Sequence, residues 1–304
     1  MKKLLFGAVA LLVLGGACMF GAAVSTGFNM EALDIVAKDS KLYTAESAVQ
    51  EVSIDNYDGR VQLVRGDKLT IAYSDSAYYR YTLEERDGRV SLSCSRTDKR
   101  FLLGWLPFAG IHMSRVVVQI PDGLDAVTVS NRNGKVTAAD LTVRELKIST
   151  TNAHAELKNI KASGAATVTT TNGSIECADT DAQTLHVRTT NGSVELTDCR
   201  ATAVEAETSN ASVDLDTVTA GTMSLITTNG SVDFSALDVA EQLSIRTTNA
   251  SIRGTLAGAR SDYTFRTVYT TNGSCNIEAG GTGARQVDVH TTNGKINITF
   301  TKNE

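Results

Sequence analysis

Thr189-Thr190-Asn191-Gly192-Ser193-Val194-Glu195-Leu196 has near copies on both sides. Nineteen residues earlier stands Thr170-Thr171-Asn172-Gly173-Ser174-Ile175-Glu176-Cys177, and nineteen later Thr208-Ser209-Asn210-Ala211-Ser212-Val213-Asp214-Leu215. Working outward, the same segment recurs around Asn133, Asn152, Asn172, Asn191, Asn210, Asn229, Asn249, Asn272 and Asn293, at intervals of 19, 20, 19, 19, 19, 20, 23 and 21. A fixed period of this length marks a repeat architecture. Four residues before each asparagine lies an apolar residue (Val129, Ile148, Val168, Val187, Ala206, Leu225, Ile245, Val268, Val289). Three after it lie Val136, Ala155, Ile175, Val194, Val213, Val232, Ile252, Cys275 and Ile296. Five after it lie mainly Leu157, Cys177, Leu196, Leu215, Phe234, Ile277 and Ile298. The alternation has period two on each side, which is a strand signal. The inward parity is even before the asparagine and odd after it, so the chain turns at Asn-Gly or Asn-Ala.

Two architectures use such a turn. An antiparallel meander places Asn-Gly in two-residue hairpins; a parallel solenoid places it at one corner of every coil. Several copies read Asn-Ala, and Ala resists the positive φ of a type I′ turn. Stacking like on like also lets Asn and Thr side chains hydrogen-bond along their ladders. The reading favoured is an all-β parallel β-solenoid of about nine 19–23-residue coils. Its corner ladder is the nine asparagines, which are expected to tolerate a left-handed backbone. At ~4.8 Å per coil the rod is roughly 40 Å long.

Composition agrees. Apolar residues at 42% suffice for a core, while aromatics at 6% and only two prolines disfavour a helical bundle. A net charge of −5 argues against a nucleic-acid partner.

The N-terminus reads as a membrane segment. Lys2 and Lys3 precede an uncharged run from Leu4 to Val24, long enough to cross a bilayer. The lysines favour a cytoplasmic N-terminus, leaving the remainder extracytoplasmic. A cleaved signal ending near Gly21-Ala22-Ala23 is the alternative. Cys18 resembles a lipobox cysteine, but Gly15 stands where that motif has Leu. The expected organisation is an anchor or signal over 1–28, a linker over 29–49, an N-terminal β region over 50–126 that caps the solenoid, and repeats over 127–300. In the cap, Asn56-Tyr57-Asp58-Gly59 resembles a divergent first corner, Asp87-Gly88 a hairpin, and Val116–Ile120 a buried strand ending at Pro121-Asp122-Gly123.

Three of the cysteines take apolar repeat positions, so Cys177, Cys199 and Cys275 are expected to be buried thiols. Cys177 and Cys199 fall three residues out of register, too far for a disulfide.

Two surface features are candidate sites. Four residues after the corner asparagine, five consecutive coils carry Glu156, Glu176, Glu195, Asp214 and Asp233. From Glu176 to Glu241 twelve acidic residues face two basic ones, Arg188 and Arg200. The stripe is either a solvated face that keeps strands from associating sideways or a site for Ca²⁺ or a cationic partner. The second feature runs from Phe101 to Ile111, with Phe101, Leu103, Trp105 and Phe108. It is either a loop folded over the solenoid end or an apolar patch that touches membrane or a partner.

Catalytic patterns are missing. There is no Gly-x-Ser-x-Gly, phosphate loop or His-Glu-x-x-His. His112, His154, His186 and His290 are scattered, no zinc spacing exists among the cysteines, and no Lys/Arg cluster joins the acidic stripe. No cofactor is expected beyond a possible Ca²⁺.

The anchor, the Val116-to-Gly123 strand and turn, and the Thr-Thr-Asn-Gly-Ser coils to Ile298 together resemble the bacterial "putative adhesin" family, a β-strand-repeat domain in membrane-anchored envelope proteins. The resemblance spans about residues 50–300 and implies a surface location without carrying over any catalytic motif. The expected function is a non-catalytic binding, adhesion or scaffolding module at the cell envelope, held in the membrane through residues 4–24 and contacting an envelope or surface protein or a glycan. The alternatives are an accessory protein of an envelope-stress system and a glycan-active β-helix enzyme.

Overall fold

The computed structural model describes residues 39–76, 78–97 and 114–302. The expected anchor and the 101–111 segment lie outside the described residues. Among the described residues no helix is long and apolar enough to cross a membrane, and the only helical element is a 3-10 turn at Arg260–Asp262.

The other regular elements are all strands, wound into a parallel β-solenoid of about eight turns. Its middle is built from β8 (Leu124–Asn131), β9 (Val136–Thr150), β10 (Ala155–Thr169), β11 (Ile175–Arg188), β12 (Val194–Thr197), β13 (Arg200–Glu207), β14 (Val213–Asp216), β15 (Thr219–Ile226) and β16 (Val232–Arg246). Each pairs in parallel with its counterpart one coil on, and the register keeps like on like. Ile175, Val194, Val213, Val232 and Ile252 stack in one file. Val187, Ala206, Leu225, Ile245 and Val289 stack in another. All ten are at most 1% exposed. The period-two alternation therefore places the core as read, because successive strand side chains point to opposite faces.

The asparagine corner works differently from the expectation. None of the nine asparagines has a positive φ. Each Nδ2 instead donates to the Oδ1 of the neighbouring corner, from Asn152 to Asn133 at 2.7 Å through Asn249 to Asn229 at 2.8 Å. The corner is tight because coils approach closely there: a Cβ on Gly192 would lie 1.9 Å from the carbonyl oxygen of Gly173. Gly192 suits that approach for want of a Cβ rather than for a left-handed backbone, and Ala153, Ala211 and Ala250 fill the same position in other coils. The left-handed residues sit seven positions after the asparagine, at Asp140, Asn159, Asp179, Asp198, Thr217 and Ala236, and form a second corner.

Coil order departs from chain order at both ends. β2 (Glu51–Asn56) pairs with β8 on one side and with β6 (Arg89–Arg96) on the other; β3 (Arg60–Arg65) lies likewise between β9 and β7 (Arg115–Ile120). At the far end, β17 (Ile252–Leu256) is followed in sequence by β18 (Tyr263–Thr270), β19 (Arg285–Thr291) and β20 (Ile296–Phe300). Yet β19 pairs with β16, β20 pairs with β17, and β18 stacks outside β19. The asparagine ladder follows space and runs Asn249, Asn293, Asn272.

The N-terminal region caps the stack. β5 (Tyr79–Arg86) and β6 form a hairpin through Asp87-Gly88, both at positive φ. Part of the expected linker is a strand: β1 (Asp39–Thr44) pairs antiparallel with β4 (Thr70–Asp75), which pairs antiparallel with β7. Asp58 takes the corner position in the β2–β3 coil and accepts from Asn133 Nδ2, ending the ladder in a carboxylate.

Candidate functional site

The acidic stripe follows from the register. Glu156 stands opposite Glu176, Glu176 opposite Glu195, Glu195 opposite Asp214 and Asp214 opposite Asp233. All five occupy outward strand positions between buried neighbours. At a strand spacing of ~4.8 Å the carboxylates are close enough to repel.

Cations close both ends of the stripe. Lys135 Nζ lies 2.5 Å from Glu156 Oε2, and its hydrogen bond holds the Glu156 carboxyl below the usual carboxylate range. At the other end Asp233 is faced in register by Arg253, whose Nε is 3.5 Å from Asp233 Oδ1. Between them, Ser212 Oγ donates to Asp214 at 2.5 Å. Neither Glu195 nor Asp214 has a basic partner among the described residues. The centre of the stripe is therefore uncompensated negative charge facing solvent.

A second cluster sits near the Lys135 end. Side-chain ligand atoms of His154, Glu156 and Glu176 all lie within 4.8 Å of one another, and His154 Nε2 is 3.5 Å from Glu176 Oε2. The sequence held a signal for this grouping. His154 stands two residues after its corner asparagine, where six other corners have serine.

The structure also assembles a group that the repeat reading missed. On the side after the left-handed corner, an open groove of about 760 Å³ is floored by Ala162, Ala182 and Ala201 and edged by Arg144, Lys161 and Arg200. Asp181 stands between the last two, so the groove is mixed in charge. Its signal was small and basic residues at matching positions of consecutive coils.

Among the described residues, the other histidines do not join nucleophiles. His186 Nδ1 is 2.9 Å from Glu205 Oε2, and His290 stacks on Tyr269 with ring centroids 5.3 Å apart. Cys177 and Cys199 are buried free thiols. Burial pushes Cys177 well up and Cys199 up to about 11, so both are poor nucleophiles. Cys199 Sγ lies 3.4 Å from the Cys177 carbonyl oxygen. The expected burial of Cys275 is corrected: it is exposed, because among the described residues its coil ends the stack and only Ile296 bridges to it. Phe101, Leu103, Trp105 and Phe108 fall outside the described residues.

The sequence model of Toastrack DUF4097 matches residues 49–299. The chain belongs to this family. That match bears out the resemblance drawn from the corners and the strand at Val116–Ile120. Similar solved structures include a "putative adhesin" from Bacteroides fragilis NCTC 9343, at 11% identity over 87% of this chain and 97% of that one, with a TM-score of 0.41. Another is a "putative cell adhesion protein" from Clostridium sporogenes ATCC 15579, at 11% identity, 87% and 100% coverage and a TM-score of 0.28. A third is a "putative adhesin" from Parabacteroides merdae ATCC 43184, at 11% identity, 86% and 95% coverage and a TM-score of 0.38. No curated protein matches the chain.

Proposed function

We propose that this Toastrack DUF4097 chain is a non-catalytic binding module of the cell envelope, held in the membrane through residues 4–24, whose contact surface is the acidic stripe. The observation that supports this reading is the in-register run of Glu156, Glu176, Glu195, Asp214 and Asp233, closed by Lys135 and Arg253 and open at Glu195 and Asp214. Like charges stacked on neighbouring strands oppose folding by a few tenths of a kcal/mol or more per pair. A cationic surface laid along the stripe relieves that repulsion and gains charge complementarity, which favours fast, salt-sensitive association. The partner chemistry is therefore cationic, on a surface protein or an amine-bearing polymer.

The test compares the full-length protein with a variant carrying Glu176→Ser, Glu195→Ser, Asp214→Ser and Asp233→Ser. Both are incubated with intact Gram-positive envelopes and, separately, with extracellular matrix. Saturable binding that salt weakens and the variant loses is the expected result. Binding to envelope membrane proteins alone, unchanged in the variant, overturns the acidic-face reading and favours an accessory role in an envelope-stress system.

A further inference from the structure

We propose that His154, Glu156 and Glu176 bind a divalent transition metal of zinc's class. This goes beyond the acidic contact face and does not rest on it. His154 and Glu156 are two residues apart where the chain enters β10, so both side chains leave the same face. Glu176 stands directly opposite Glu156 in the next coil. Two adjacent coils thus present one imidazole and two carboxylates to one point, all three partly buried. Two ligands held ~2.0–2.2 Å from a tetrahedral ion are about 3.4 Å apart. The His154 Nε2 to Glu176 Oε2 separation, 3.5 Å, already has that value. The remaining ligand atoms lie within 4.8 Å and close on the same point by side-chain rotation.

The imidazole sets the metal class. Oxygen-only rungs, such as Glu195 with Asp214, suit a hard cation like Ca²⁺; a nitrogen ligand shifts preference to zinc, nickel, copper or cobalt. The fold itself does not call for a histidine here, since serine fills the position in six other corners. Lys135 is the competing cation, bound to one oxygen of Glu156, and the ion either displaces it or uses the other oxygen. Three protein ligands leave the fourth position of a tetrahedral ion to water or to a partner's carboxylate or imidazole.

The experiment titrates Zn²⁺ into the full-length protein by calorimetry, with Co²⁺ absorption reporting geometry. One equivalent is expected to bind, with a tetrahedral Co²⁺ spectrum. His154→Ser, whose folding is checked by circular dichroism, should lose at least tenfold in affinity together with that spectrum. Lys135→Gln should bind more tightly, and Glu195→Gln should be unchanged. Absence of saturable Zn²⁺ binding, or equal affinity in His154→Ser, overturns the proposal. Because His154→Ser keeps all five carboxylates, binding to a cationic partner should survive in it, so failure of the metal site and failure of the acidic face are separately visible.

Discussion

Every corner threonine but Thr150, two residues before its asparagine, joins neighbouring coils through the backbone rather than through another threonine. Thr189 Oγ1 donates to the Gly173 carbonyl at 2.9 Å and accepts from the Gly192 N–H at 3.3 Å. Thr208 Oγ1 donates to Gly192 O at 2.8 Å, and Thr247 Oγ1 to Gly230 O at 2.9 Å. Thr150 breaks the series. Its Oγ1 is the one buried side-chain polar atom without a partner among the described residues. The carbonyl that the pattern assigns to it, Gly134 O, already accepts from Asn131 Nδ2 at 2.5 Å, because Asn131 replaces threonine in the preceding coil. The two positions should respond oppositely to the same change. Thr208→Val removes a satisfied buried hydroxyl and strands its acceptor, a loss of about 1–2 kcal/mol. Thr150→Val removes an unsatisfied hydroxyl at equal volume and should leave stability unchanged or raise it by up to about 1 kcal/mol. Urea denaturation of the two variants decides this, and equal destabilisation would refute the account.

At the scale of the coil, the long strands β9, β10, β11 and β16 are continuous through a bend whose pivot is the left-handed residue. Asp and Asn suit that conformation because their short polar side chains bond locally; Asn159 Nδ2 donates to Asp140 Oδ1 in the neighbouring coil at 2.7 Å. Ala236 holds φ at 48° with no such bond. A left-handed non-glycine residue costs roughly 1–2 kcal/mol, and a glycine's extra unfolded-state entropy offsets part of that. Ala236→Gly should therefore stabilise the protein by about 0.5–1 kcal/mol, read as a rise in thermal midpoint. A fall would mean that the Ala236 methyl matters to packing. This second corner was written in the sequence as Asp140, Asn159, Asp179 and Asp198, all seven residues past the asparagine, but Thr217 and Ala236 interrupt the series. The Asn-Gly signal nearby is the stronger local turn marker, and it drew the left-handed assignment to the wrong corner. Side-chain parity, by contrast, was fully legible, because a period of two permits only one inward set. The acidic stripe followed from it. The His154 cluster did not, since it depends on which two side chains meet across coils.

At the scale of the whole molecule, the order of coils was not legible, because near-identical repeats stack as well on one neighbour as on another. The only hint lay in the intervals of 23 and 21 that follow Asn249, against 19 or 20 elsewhere. That extra length lets the chain step over one coil position, form β18, and return to fill the gap with β19 and β20. β19 and β20, late in the sequence, are consequently interior to the stack. Val287, Val289, Ile296 and Ile298 are at most 2% exposed, and β19 has a strand on each edge. In a solenoid stacked in chain order the last coil frays first, since opening free energies fall toward unpaired ends. Here the expected hydrogen-exchange pattern is reversed. Amides of β19 should exchange as slowly as those of β15, while Thr267–Thr270 of β18 exchange faster. Ending the chain after Ala284 removes the only strand that β18 pairs with along its length among the described residues, and should strip protection from residues 263–283. If β18 in the shortened chain stays protected, with Asn272 docked directly on Asn249, then the two coils are interchangeable. The crossing of the chain would then be one packing among equals rather than a lock that closes only when the last strand is in place.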